Sequence, residues 1–159
     1  MHAVLEILKD YDTDQMYPVY GFGGRLPNAP AGKASHCFAL NGDIFNPECN
    51  QVHGVMQAYY GSISKPSILF GPTKFSPILS YVNDYVSATS GEISQYNQKY
   101  NLCLILTDGV INDLDQTIDE IVRASDQPLS IIIVGVGEAD FTQMEGLDGD
   151  VTPIYSMKL

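Results

Sequence analysis

Cations are scarce in this sequence: eight lysines and arginines stand against nineteen aspartates and glutamates in 159 residues, a formal net charge of −11. Such a chain repels polyphosphate backbones and anionic headgroups on average, which excludes nucleic acid as an expected partner. The carboxylate excess suits divalent cations but does not place them, because most surface acids are simply solvated. Cysteine is also scarce. Cys37, Cys49 and Cys103 cannot all pair within the chain, and an odd, low count fits a reducing, cytoplasmic setting without a disulfide. Long apolar runs are lacking. No stretch approaches the ~18 residues that span a bilayer, and MHAVLEILKDYD has no basic region followed by an apolar run, so no leader or anchor is expected. What is present is 45% hydrophobic and 17% charged, at a length that predicts one packed core.

Periodicity then divides the chain. Val4, Ile7, Leu8 and Tyr11 stand at helical spacing with no capping residue before them, so the sequence reads as opening inside an amphipathic helix. A strand-like run at residues 17–22 precedes a Gly/Pro loop at 23–32 and a second short strand at 36–40. Val52, Val55, Met56 and Tyr59 share one helical face, and Ile78, Leu79, Val82 and Val86 share another. Residues 102–106 form a continuous apolar run before Thr107-Asp108-Gly109, as a strand buried on both faces of a parallel sheet would. Asp113 followed by Gln116 resembles a capping box, with Leu114, Ile118, Ile121 and Val122 as the apolar face of the next helix and Pro128 after it. A second apolar strand at 131–136 completes a strand, helix, strand order that predicts a mostly parallel α/β sheet.

In such sheets ligands gather at the carboxyl ends of the strands. Asp108 follows a predicted central strand directly, and a hard cation such as Mg²⁺ accepts a carboxylate oxygen together with hydroxyls and waters, one of which Thr73 can supply. Taken alone, the two residues read first as a turn residue and a cap on the approach to a helix, and only second as metal ligands. Other constellations are weaker. Asp10, Asp12 and Asp14 open like a calcium loop, but Gln15 and Gly21 occupy the positions that need glycine and glutamate, so a solvated turn is the reading. His36, Cys37, Cys49 and His53 fit no zinc spacing. Gly135 and Gly137 lack the third glycine of a dinucleotide fingerprint, whose place Asp140 takes. GFGG lacks the lysine of a phosphate loop, and there is no G-x-S-x-G. The pairs Asp113 and Asp115, and Asp148 and Asp150, read as solvated loop acids.

Several segments taken in order carry a resemblance: YGFGG (20–24), NPEC (46–49), GPTKFSP (71–77), LILTDGVIND (104–113), SIIIVGVGEADF (130–141) and LDGD (147–150). Together they resemble the von Willebrand factor A-type domain of the copine family. The resemblance implies a Rossmann-like A domain over residues 1–150, with 151–159 a divergent tail expected to be poorly ordered. It further implies a metal-ion-dependent adhesion site, in which Thr73 and Asp108 match the later-loop threonine and the aspartate after the fourth strand. The DxSxS element of the first strand has no counterpart, so the expected sheet lacks that strand and the site is incomplete. The implied function is metal-bridged protein binding through Mg²⁺ or Mn²⁺ and a partner's carboxylate, without enzymatic turnover. Calcium-dependent membrane binding would belong to C2 domains outside this sequence. Unpaired sheet edges would favour self-association. A metal-independent interaction domain is the alternative, and a metal-dependent hydrolase a remote one.

Overall fold

A computed structural model describes residues 1–26, 33–64, 71–91, 94–96, 98–149 and 153–156. The chain divides into two compact units, Met1–Pro72 and Thr73–Leu159.

The first unit begins with α1 (His2–Leu8), continued by a 3-10 turn at Lys9–Tyr11. Its buried residue is Leu5, while Ile7 and Tyr11 are 69% and 82% exposed, which corrects the face predicted from spacing. The shift has a packing cause: Leu5 joins Cys49, Val52 and Val55 in one cluster with Tyr17, Val19 and Met56 against it. The predicted strand at 17–22 exists in two pieces, β1 (Met16–Pro18) and β2 (Tyr20–Gly21). At Val19 the chain changes partner. Val19 donates to the Pro47 carbonyl at 3.2 Å and accepts from the Leu40 amide at 3.0 Å. Accordingly β1 pairs antiparallel with β4 (Glu48–Asn50), and β2 with β3 (Phe38–Ala39). A β-bridge between Gly24 and Ser35 brackets the Gly/Pro loop, of which 27–32 lie outside the described residues. Helix α2 (Gln51–Ile63) buries Val52 and Val55 as its spacing predicted.

The second unit is a strand-helix-strand crossover with a helix before it. Helix α3 (Ser76–Thr89) buries Ile78, Leu79 and Val86 as predicted, and also Asn83. β5 (Asn101–Thr107) and β6 (Leu129–Gly135) run parallel over seven pairs, from Asn101↔Leu129 to Thr107↔Gly135, joined through α4 (Leu114–Ala124). This pair and its helices are the expected α/β arrangement. Parallel pairing is confined to it among the described strands, the other two ladders being antiparallel. Burial on both faces is not found. Ile105 and Thr107 are buried, but Leu102 and Ile132 are 43% and 40% exposed, because side chains alternate across a strand and α3 and α4 supply one apolar layer. That layer contains Val86, Ala124 and Leu129, with Val82, Cys103 and Ile131 against it. Polar bonds join the two helices at their margin: Asn83 Nδ2 donates to the Glu120 carbonyl at 2.9 Å, and Arg123 pairs with Asp84 and Glu120.

The acids of α4 behave differently from expectation. Asp113 makes no side-chain cap on its own helix, and it is buried, so it is neither half of a capping box with Gln116 nor a solvated loop acid. Its carboxylate turns to α3. Of the expected tail, 151–152 and 157–159 lie outside the described residues; within 153–156, Ser156 Oγ donates to Asp119 Oδ1 on α4 at 2.6 Å.

Candidate functional site

The crest of the parallel pair is built from the end of β5 upward. Thr107 is the last buried residue of the strand, and its carbonyl accepts from the Val136 amide at 2.8 Å, tying the ends of β5 and β6. Its hydroxyl lies 3.4 Å from the Gly109 amide that donates to it, which turns the chain sharply at Asp108. Asp108 is therefore fixed by its backbone and exposed at its carboxylate. Three residues after Asp108, buried Ile111 roots the loop in the core.

The loop before α3 is fastened to this turn by side chains that span 37 to 39 residues of sequence. The Thr73 amide donates to Asn112 Oδ1 at 2.8 Å, and the Asn112 amide donates back to the Thr73 carbonyl at 2.9 Å. Beside them, the Phe75 and Ser76 amides donate to Asp113 Oδ1 and Oδ2 at 3.0 and 2.9 Å. The Thr117 hydroxyl donates to the same Oδ1 at 3.3 Å. The need for Asp113 follows from α3 itself. Its N-cap position is Phe75, whose side chain accepts nothing, and a helix leaves its first amides without internal partners. Asp113 satisfies two of them with a carboxylate, the sign that a helix N-terminus favours. Phe75, wholly buried, anchors the same loop by packing.

These bonds bring Thr73 to the Asp108-Gly109 turn. A Cβ on Gly109 would stand 3.3 Å from Thr73 Oγ1, so the absence of a side chain there leaves the hydroxyl its room. A carboxylate at Asp108 and a hydroxyl at Thr73 are hard oxygen donors. They suit Mg²⁺, which is held by one or two carboxylates and keeps several of its waters. The pair fits part of such a shell. Among the described residues, no three His, Cys, Asp or Glu side chains stand together as a metal set.

The remaining sequence features have local roles. Asp14 Oδ1 accepts from the Met16 amide at 3.0 Å in a tight turn, and the Asp12 carboxyl is pushed above its ordinary value, first by burial and then by the charge of Asp14. His36, Cys37, Cys49 and His53 form no ligand set. Burial pushes the Cys37 thiol up to about 11, and also raises that of Cys49, where a metal ligand would be a thiolate. All three cysteines are free. Asp140 accepts from the Thr142 amide and hydroxyl at 3.0 and 2.6 Å, and those bonds lower its carboxyl pKa. It thereby supports the start of the short helix α5 (Thr142–Glu145). Gly135 lies where a Cβ would meet the Phe141 ring at 3.0 Å, so it serves close packing.

Sequence reasoning missed Asn112 and Asp113. The available signal was Phe-Ser-Pro at the start of α3, a helix opening with no acceptor of its own at the cap.

An α/β unit with an acidic turn at the end of a parallel strand, faced by a threonine from a neighbouring loop, defines the class. The comparisons carry it to a family. The Copine family model matches residues 1–157. Copine-A of Dictyostelium discoideum is 47% identical over 154 residues, which cover 97% of this chain and 25% of that protein. The chain belongs to the copine family, and it spans about a quarter of the length of that relative. Among the described residues no helix is long and apolar enough to cross a membrane.

Proposed function

We propose that residues 1–150 act as a protein-binding A domain in which Thr73 and Asp108 contribute to a Mg²⁺ or Mn²⁺ site. The observation that carries this reading is the Thr73 hydroxyl standing at Gly109, directly beside Asp108, at the carboxyl end of β5. Such a cation, when bound, bridges to a partner's carboxylate that the acidic surface would otherwise repel. Asp108 supplies the charged oxygen, Thr73 a neutral one, and the two clamped loops keep both from following the partner away. The domain binds and does not turn over a substrate. The three free thiols suit a cytoplasmic location. Calcium-dependent phospholipid binding, in this reading, belongs to C2 modules of a longer parent protein. Self-association through exposed edges of the β5–β6 sheet is a further part of the reading, checked by sedimentation velocity.

The test is a Mn²⁺ titration followed by electron paramagnetic resonance on the chain and on Asp108→Ala, with circular dichroism to establish folding. Saturable binding lost in the folded variant supports the site. Binding unchanged by the substitution, or none in the unaltered chain, removes Asp108 from it.

A second reading, a metal-independent interaction domain, rests on α2. His53, Met56, Gln57, Tyr60, Gly61 and Ser64 line a groove of about 500 Å³ on that helix, with no Asp, Glu, Lys or Arg among these described residues in a strongly acidic chain. Partner binding indifferent to chelation and to Asp108→Ala would favour this surface.

A further inference from the structure

We propose that Asn112 is the positioning residue of the Thr73–Asp108 site, an inference that rests on the metal reading above and assigns a role outside the ligand set. Asn112 follows Gly109 by three residues, and its side chain is exposed, so it contributes nothing to the core. Its amide oxygen nevertheless takes the Thr73 N–H at 2.8 Å, while its own N–H reaches the Thr73 carbonyl at 2.9 Å. Both backbone polar groups of Thr73 are thus spent on one residue of the opposite loop. A residue held at its amide and its carbonyl has little freedom left in the backbone that carries its side chain. The Thr73 hydroxyl then stands close to Gly109, where even a methyl group would crowd it at 3.3 Å.

The neighbouring residue does different work. Asp113 is buried, holds two amides of α3 and is tied to Thr117, so it secures the helix. Asn112 secures the single loop residue that bears the donor hydroxyl. The division predicts that Asp113 governs stability and Asn112 governs the site. Hydrogen-bonded groups behind metal ligands commonly alter affinity 10- to 100-fold when removed, because they fix ligand orientation.

The experiment uses the full chain with Asn112→Ala and Asn112→Asp, the latter keeping an oxygen acceptor for the Thr73 N–H. Two readouts are taken: amide hydrogen exchange at Thr73 without metal, by nuclear magnetic resonance, and Mn²⁺ affinity by electron paramagnetic resonance. Thermal melts establish that each variant folds. The expected result is faster exchange at Thr73 in Asn112→Ala, about tenfold weaker Mn²⁺ binding, and recovery of both in Asn112→Asp. Unchanged exchange at Thr73 in Asn112→Ala overturns the clamp. Faster exchange with Mn²⁺ affinity intact overturns the positioning role and leaves the metal reading standing. Absence of saturable Mn²⁺ binding in the unaltered chain overturns the metal reading and, with it, the role assigned to Asn112.

Discussion

The two units hold their loops by different means. In the first, side chains bond to backbone only a few residues away: Asp14 to Met16, Asn41 to Asp43 and Asn46, Asp43 to Phe45. A longer-range side-chain bond there is that of Ser62 Oγ, which donates to the Leu40 carbonyl at 3.0 Å. In the second, the bonds that matter cross from the loop before α3 to the loop after β5, between residues 38 and 39 apart. Local bonds shape a turn and leave it dependent on itself. Bonds between distant loops make each loop's position a property of the other, which is what a site assembled from two loops requires.

That contrast is sharpened most by removing what holds each unit. Leu79→Ala in α3, where the side chain is fully buried, should cost about 2–5 kcal/mol in urea denaturation, against about 2 kcal/mol for Val55→Ala in α2. Equal losses would mean that the second unit's core is no more demanding than the first's. Asp113→Ala strands the Phe75 and Ser76 amides beneath a buried position and should cost about 2–4 kcal/mol, whereas Asp43→Ala in an exposed turn should cost less than about 1 kcal/mol. A melt that ranks them the other way would break the comparison. Ser62→Ala, which leaves the Leu40 carbonyl without that donor, should cost about 1 kcal/mol, an intermediate value expected of one neutral long-range bond.

The thiols, by comparison, are treated alike by the two units. Burial raises Cys37 in the first unit and Cys103 in the second from 9.0 to about 11. For a group whose pKa is raised on folding, the associated stability is complete below the unfolded value and is lost as pH climbs through the folded one. The cysteine contribution should therefore be constant up to about pH 9 and fall between about 9 and 11. Alkylation of the native protein by iodoacetamide should follow the same upper limb. Rapid labelling of Cys103 near pH 8 would show that the second unit opens more readily than its packing implies.

Much of the second unit was legible beforehand because its signals are local. The run LCLIL followed by Thr-Asp-Gly reads as a strand, although only one of its faces proves to be covered, and the spacing of Ile78, Leu79 and Val86 marks the buried side of α3 without knowledge of its neighbours. The copine resemblance placed Thr73 and Asp108 together in expectation, and the structure brings the Thr73 hydroxyl to the turn that follows Asp108. What failed were inferences from short windows. Asp113 and Gln116 have the spacing of a capping box, yet the nearer need was that of α3, whose Phe75 cannot cap. Ile7 and Tyr11 share a helical face with Val4, but Leu5 is the residue that α2 and β4 cover.

Sequence alone was enough for the helix, strand, helix, strand order from Ser76 to Gly135, the inward faces of α2 and α3, and an aspartate at the end of a parallel strand. Each of these follows from periodicity within a few residues, which the backbone geometry of a helix or strand imposes. Only the tertiary structure decided that Val19 would change partners between two ladders, that Asp113 would cap a helix other than its own, and that Asn112 would hold Thr73 over Gly109. Those choices depend on which unsatisfied backbone group lies nearest once the chain has folded, and nothing in a short stretch of sequence records that distance.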